Sequence, residues 1–173
     1  PPLSDVSIHL SSSDNTEGSI YRMQDTVITF TPSNYDLYHP VQVIGEDDNL
    51  DDGDVPYQII TSNIVSSDPI YHNLSVENID FINEDDDLAS ISTSMMDDNK
   101  TSEKGDQSRF AIELSTKPGS DLTIDIASSD QTEGIVSTNQ VVFTPDEWET
   151  EKVVTVTGVS DNKIDGDIPY FVE

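Results

Sequence analysis

An internal repeat is the feature that most constrains how this chain can fold. Several short motifs occur twice, in the same order, at offsets of 116 and 113 residues. Repetition at one fixed period is the signature of tandem units that share a fold. The sequence therefore predicts two related units instead of one large domain. The matched segments are 12–18 with 128–134, 30–32 with 143–145, and 45–57 with 158–170.

The amino-acid usage favours strands over helices. Ile, Val and Thr supply 47 of the 173 residues, whereas Ala supplies 3 and Leu 8. β-branched residues suit a pleated, half-buried surface, and good helix formers are scarce. Apolar and polar residues also alternate along 6–10 and 122–126, as they do in strands with one buried face. We predict an all-β chain whose units have the size of a β-sandwich.

The repeat sets the expected domain boundaries. Residues 1–87 form the later part of a first unit, and residues 88–173 form the earlier part of a second. On this interpretation both units are partial, and the chain belongs to a longer tandem array. Asp85-Asp86-Asp87 runs into Leu88 with no Gly-rich or Pro-rich spacer, so the junction is expected to be short.

The charge of the chain points to cations as partners. There are 35 acidic residues against 7 Lys and Arg, a formal net charge of -28, and no Cys. This balance argues against nucleic acid, because phosphate binding needs clustered Lys and Arg. The absence of Cys excludes disulfide scaffolds, zinc ribbons and thiol nucleophiles. Six acids fall within 46–54, and carboxylates packed so closely need protonation or a counter-cation.

Four motifs together resemble the Calx-beta repeat family, most closely the tandem repeats of large surface adhesins. They are Thr101-Ser102-Glu103-Lys104-Gly105, Ser-Ser-Asp-x-Thr-Glu-Gly, Phe-Thr-Pro, and Asp-Asn-x-x-Asp-Gly-Asp. The resemblance covers essentially the whole chain. It implies tandem Ig-like Greek-key β-sandwiches, each of which clusters calcium ions at one tip. Calcium is then the expected cofactor.

The resemblance also implies a set of calcium ligands in each unit. Ser160 departs from the family pattern, where an acid is expected, and Asp47 fills that position in the first unit. The second unit is therefore expected to hold fewer ions. The implied ligands are Asp14, Asp47, Asp48, Asp52, Asp54, Asp85, Asp86 and Asp87, followed in the second unit by Glu103, Asp130, Asp161, Asp165 and Asp167.

Three functions remain open from the sequence. The first is a calcium-binding structural repeat of an extracellular or cell-surface adhesion protein, stiffened by calcium and in contact with neighbouring repeats, other surface proteins or glycans. The second is a calcium-sensing domain of a membrane transporter or receptor. The third is a carbohydrate-binding module of a secreted enzyme. A purely solvated acidic face is the simplest alternative to any metal site.

Enzymatic activity is not expected. His9, His39 and His72 are far apart in the sequence, and no phosphate loop, nucleophile elbow or His-Glu-x-x-His motif occurs. An EF-hand starting at Asp161 is also excluded, since Lys163 and Val172 stand where that loop requires oxygen ligands.

Overall fold

The computed structural model describes residues 1–21, 26–161, 163–164 and 166–173. This part of the chain contains thirteen strands and no helix, so the prediction of an all-β chain is confirmed. It accordingly offers no helical segment of the length and apolarity that crossing a membrane requires. The strands are β1 (Val6–Ser12), β2 (Gly18–Ile20), β3 (Val27–Phe30), β4 (Val43–Gly45), β5 (Val55–Thr61), β6 (Val65–Ser66), β7 (Ile79–Asn83), β8 (Ile91–Met95), β9 (Gln107–Leu114), β10 (Leu122–Asp125), β11 (Gly134–Val136), β12 (Gln140–Phe143) and β13 (Lys152–Gly158).

The strands fall into two compact units. The first comprises residues 1–48 and 52–86, and the second comprises residues 49–51 and 87–173. The boundary predicted from the repeat lies between residues 87 and 88, one residue after the division between 86 and 87. The three residues 49–51 lie within the acidic turn that follows β4, and they group with the second unit.

The first unit has a main antiparallel sheet in the order β3-β1-β5-β7, with the short β6 also pairing with β1. A second, two-stranded sheet joins β2 to β4. The alternation of β1 buries Ile8 and Leu10, which pack with Tyr57 and Ile59 of β5. The Tyr57 ring stacks on Phe81 of β7, with 5.6 Å between ring centroids.

The second unit has a four-stranded antiparallel sheet in the order β11-β13-β9-β8 and a two-stranded sheet of β10 and β12. Phe143, Val154 and Ile112 are almost completely buried at its centre. Arg109 of β9 makes a two-pronged ion pair with Asp97, which follows the edge strand β8, at 2.8 and 3.1 Å between nitrogen and oxygen.

The sequence repeat is also a repeat of strand pairing. Strands β1, β2, β3 and β4 of the first unit correspond to β10, β11, β12 and β13 of the second, and the registers agree. The matched partners are Val6–Phe30 with Leu122–Phe143, and Gly18–Gly45 with Gly134–Gly158. Two copies of one local fold therefore carry the acidic turns. The Greek-key sandwich remains a prediction.

Gly18 is a position where the fold has no room for a side chain. A Cβ atom there would lie 2.2 Å from the ring of Tyr57, a core residue that is 5 % exposed. Replacing Gly18 with Ala should lower the free energy of unfolding of the first unit by about 1–3 kcal/mol, the usual cost of overpacking. Urea unfolding measures this loss. Gly119→Ala, which meets open space, should stay within about 0.5 kcal/mol. Equal stability of both variants would contradict the packing of Tyr57 against Gly18.

Candidate metal centre

Three strands of the first unit run toward the same end, and acidic residues follow two of them directly. β1 and β7 both pair antiparallel with β5, so both end near the point where β5 begins. β2 returns from that end and pairs antiparallel with β4, which therefore also runs toward it. The chain continues from β4 into Glu46 and Asp47, and from β7 into the run 84–87. The fold thus gathers two acidic segments that are about forty residues apart in sequence.

The closest approach among these acids joins Asp47, Asp86 and Asp87. One carboxylate oxygen from each lies within 4.8 Å of the other two. Asp47 and Asp86 are exposed, and Asp87, the next residue along the chain, is half-buried. Within the described part of the chain, this is the one group of three or more acidic or imidazole side chains that meets such a distance.

Main-chain hydrogen bonds hold the two acidic segments beside each other. The Gly53 N–H donates to Asp85 Oδ2 at 2.7 Å, and the Asp85 N–H donates to Asp54 Oδ1 at 3.1 Å. Gly53 has a φ of 78°, a left-handed conformation that favours glycine in this turn. The side-chain amide of Asn83 donates to the Glu46 carbonyl at 2.7 Å. These three hydrogen bonds place the two acidic segments side by side.

Asp14 and Asp130 occupy equivalent turns in the two copies. Asp14 Oδ1 accepts hydrogen bonds from the N–H and the hydroxyl of Thr16, at 3.0 and 2.6 Å. Asp130 Oδ1 accepts the same pair from Thr132, at 2.9 and 2.6 Å. These bonds, the side-chain bond first, lower the pKa of both carboxyl groups below the ordinary value. Both side chains are therefore fully charged at neutral pH.

The second copy of the acidic turn contains a cation of its own. Lys163 Nζ lies 2.6 Å from Asp161 Oδ2, and the Lys163 N–H donates to Asp161 Oδ1 at 2.9 Å. Oδ2 is buried, and no donor among the described residues other than the ammonium reaches it. The contacts with Lys163 lower the pKa of Asp161, and the charge of Lys163 also contributes to the lowered pKa of Asp130.

The thirteen residues implied as ligands are distributed over several turns. The structure brings Asp47, Asp86 and Asp87 together and links Asp54 to Asp85. Asp14, Asp130 and Asp161 organise separate turns through their own hydrogen bonds. Asp165 lies outside the described residues. The remaining members are exposed and do not join a group of three within the described part of the chain: Asp48, Asp52, Glu103 and Asp167.

Several residues that shape these turns were absent from the predicted ligand set. The side chain of Asn83 bridges toward the β4 turn, and the Ser19 hydroxyl donates to the Glu46 carboxylate. Lys163 is the third. Comparison of the two sequence copies gives the signal for it, because Lys163 occupies the position of Leu50.

A scan against models of protein families finds no match, and a search of curated proteins finds no significant match. The function must therefore be inferred from the geometry and chemistry of the residues themselves.

Proposed function

We propose that this chain is a calcium-binding structural repeat of a large extracellular or cell-surface adhesion protein. The observation that supports this most directly is the group formed by Asp47, Asp86 and Asp87, with its oxygens within 4.8 Å of one another. Two oxygens bound to one calcium ion, each at roughly 2.3–2.6 Å, lie at most about 5 Å apart. The spacing of the three carboxylates is therefore compatible with a shared ion.

The surrounding charge favours a metal over a protein partner for this group. Three carboxylates at this separation repel one another, and the repulsion is relieved by protonation or by a cation. The first 99 residues hold 20 acids and a single Lys or Arg, namely Arg22. Basic side chains of this part of the chain are thus too few to neutralise it. A dissolved cation is a further source of positive charge for this group.

The donor set suits calcium among the common cations. Its members are the carboxylate oxygens of three aspartates. Calcium takes six to eight such oxygens in flexible geometry, whereas magnesium demands a near-ideal octahedron and retains its waters. In the first unit, Asp47 and Asp86 would hold the ion together with Asp87. The other ligands implied by the family resemblance remain predictions.

The proposed mechanical role follows from the repeat and from the junction. Two copies of one fold are joined by an acidic segment without a Gly-rich or Pro-rich spacer. Calcium at the end of the first unit would cancel repulsion between acidic segments and stiffen the chain there. The partners of such a stalk would be calcium ions, neighbouring repeats and other surface proteins or glycans, with nucleic acid disfavoured by the net charge of -28.

Small-angle scattering of the whole chain in chelator and in calcium tests the mechanical role. We expect calcium to narrow the spread of the maximum dimension, because neutralised carboxylates no longer drive the acidic segments apart. Sodium chloride at matched ionic strength is the control for simple screening. If the spread of the maximum dimension is identical in chelator and in calcium, with both units folded, the proposed role as a stiff stalk is contradicted.

A further inference from the structure

The two copies of the acidic turn differ strongly in charge. Residues 46–54 carry six acids and no base, whereas the matched residues 159–167 carry three acids and Lys163. The formal charge thus falls from -6 in the first copy to -2 in the second. Leu50 occupies in the first copy the position that Lys163 occupies in the second.

Lys163 forms an ion pair with an aspartate of its own turn. Its ammonium lies 2.6 Å from Asp161 Oδ2, and its own N–H binds the other oxygen at 2.9 Å. The Asp161 side chain is only 14 % exposed, so its charge needs a partner, while the side chain of Lys163 is 66 % exposed. The turn is also attached to the loop of Asp130, because the Val159 N–H donates to the Glu133 carbonyl at 3.0 Å.

We propose that the Lys163 ammonium is the resident cation of the second acidic turn, where it takes the role that calcium takes at the first. The statement about calcium at the first turn rests on the proposed function. The role of Lys163 within its own turn is independent of that function. Calcium dependence is then confined to the first acidic turn, and Asp161 in the second turn has a cationic partner without metal.

The physical basis is competition between a tethered cation and a free one. A group attached close to its partner acts at a high effective concentration, which is commonly millimolar for short tethers. An incoming calcium ion would have to displace the ammonium from Asp161. It would also meet a turn with a smaller negative charge, and calcium affinity depends on the number of charged ligands. Both effects weaken calcium binding at the second turn.

Hydrogen exchange with mass spectrometry on the full chain tests the inference. The two copies give different peptides, because Asn15 in 12–18 is replaced by Gln131 in 128–134. In the unaltered chain, calcium should slow exchange at least about tenfold in 12–18 and 79–86 and change it less than about twofold in 128–134. Lys163→Leu should speed exchange in 128–134 about tenfold in chelator, and calcium should reverse part of that loss.

Three further variants complete the design. Lys163→Arg keeps the charge and should behave like the unaltered chain, whereas the milder Lys163→Gln should behave like Lys163→Leu. If Lys163→Leu fails to fold, the exchange rates of Lys163→Gln and Lys163→Arg in 128–134 are compared instead, and they test the role of the Lys163 charge. Lys117→Leu, which removes an exposed lysine elsewhere in the second unit, should leave exchange in 128–134 unchanged.

The outcomes separate this inference from the proposed function. Equal slowing by calcium in both copies of the unaltered chain overturns the inference and leaves calcium binding intact. If calcium slows exchange nowhere, the proposed function fails, and the chelator arm alone decides the role of Lys163. If Lys163→Gln and Lys163→Arg show the same exchange rates in 128–134 in chelator, the inference is overturned.

Discussion

Millimolar calcium should raise the melting temperature of this chain by well over ten degrees above its value in chelator. A ligand that binds only the folded state adds RT ln(1 + [L]/Kd), about 2.7 kcal/mol at a hundredfold excess over Kd. For a unit of 60–100 residues, each kcal/mol shifts the melting temperature by roughly 4–8 °C. One saturated site is thus enough for the expected shift, and the mutual repulsion of Asp47 and Asp86 in chelator adds to it.

Differential scanning calorimetry measures this shift, and salt is its essential control. A charge of -28 makes any electrolyte stabilising, since screening weakens repulsion among exposed carboxylates. Sodium chloride of equal ionic strength should therefore give a clearly smaller rise than calcium. An equal rise in both salts would mean that calcium only screens the carboxylates in general and binds at no specific site. An unchanged melting temperature in calcium would end the calcium proposal.

Asp86→Asn should weaken calcium binding by the chain at least tenfold, which corresponds to about 1.4 kcal/mol. Asn has nearly the shape of Asp but lacks its charge, so the fold is preserved while one anionic ligand is lost. Asp86 is exposed, so its replacement should change the stability of the fold little. Asp47→Asn should have a similar effect from the other acidic segment. Isothermal titration calorimetry with calcium measures both affinities.

Asp146→Asn is the matched control for these two variants. Asp146 is exposed in the turn after β12 and is not a member of the group formed by Asp47, Asp86 and Asp87. Its replacement changes the net charge by the same single unit. We expect the calcium affinity of this variant to stay within about twofold of the unaltered chain, because the effect of one exposed charge that is not a ligand is largely screened. Equal losses in all three variants would show that no particular carboxylate acts as a ligand.

The strands were predictable because their signal is local. Alternation in β1 buries Val6, Ile8 and Leu10, as a period of two requires. Strand limits were less predictable. Val41-Gln42-Val43 has the composition of a strand, yet β4 begins only at Val43, where its pairing with β2 begins. Pairing partners determine such limits, and a single segment does not reveal them.

The grouping of acids was not predictable from the sequence for a similar reason. Asp47 and Asp86 approach each other because β4 and β7 end at the same end of the first unit, and that depends on topology. The family resemblance supplied thirteen candidates without distances. Lys163 was visible in the sequence as the counterpart of Leu50, but its ion pair depends on the backbone turn at Asp161.

The shared strand register has a consequence for how such a chain reaches its native state. Ser13 exchanges two hydrogen bonds with Gln58, both 2.8 Å long, and Ser129 exchanges the same two with Phe171, both 2.9 Å long. Both copies of the loop offer the same two hydrogen bonds, so either could accept the segment that belongs to the other copy during refolding. Tandem repeats are prone to this kind of misassembly between neighbouring units during folding.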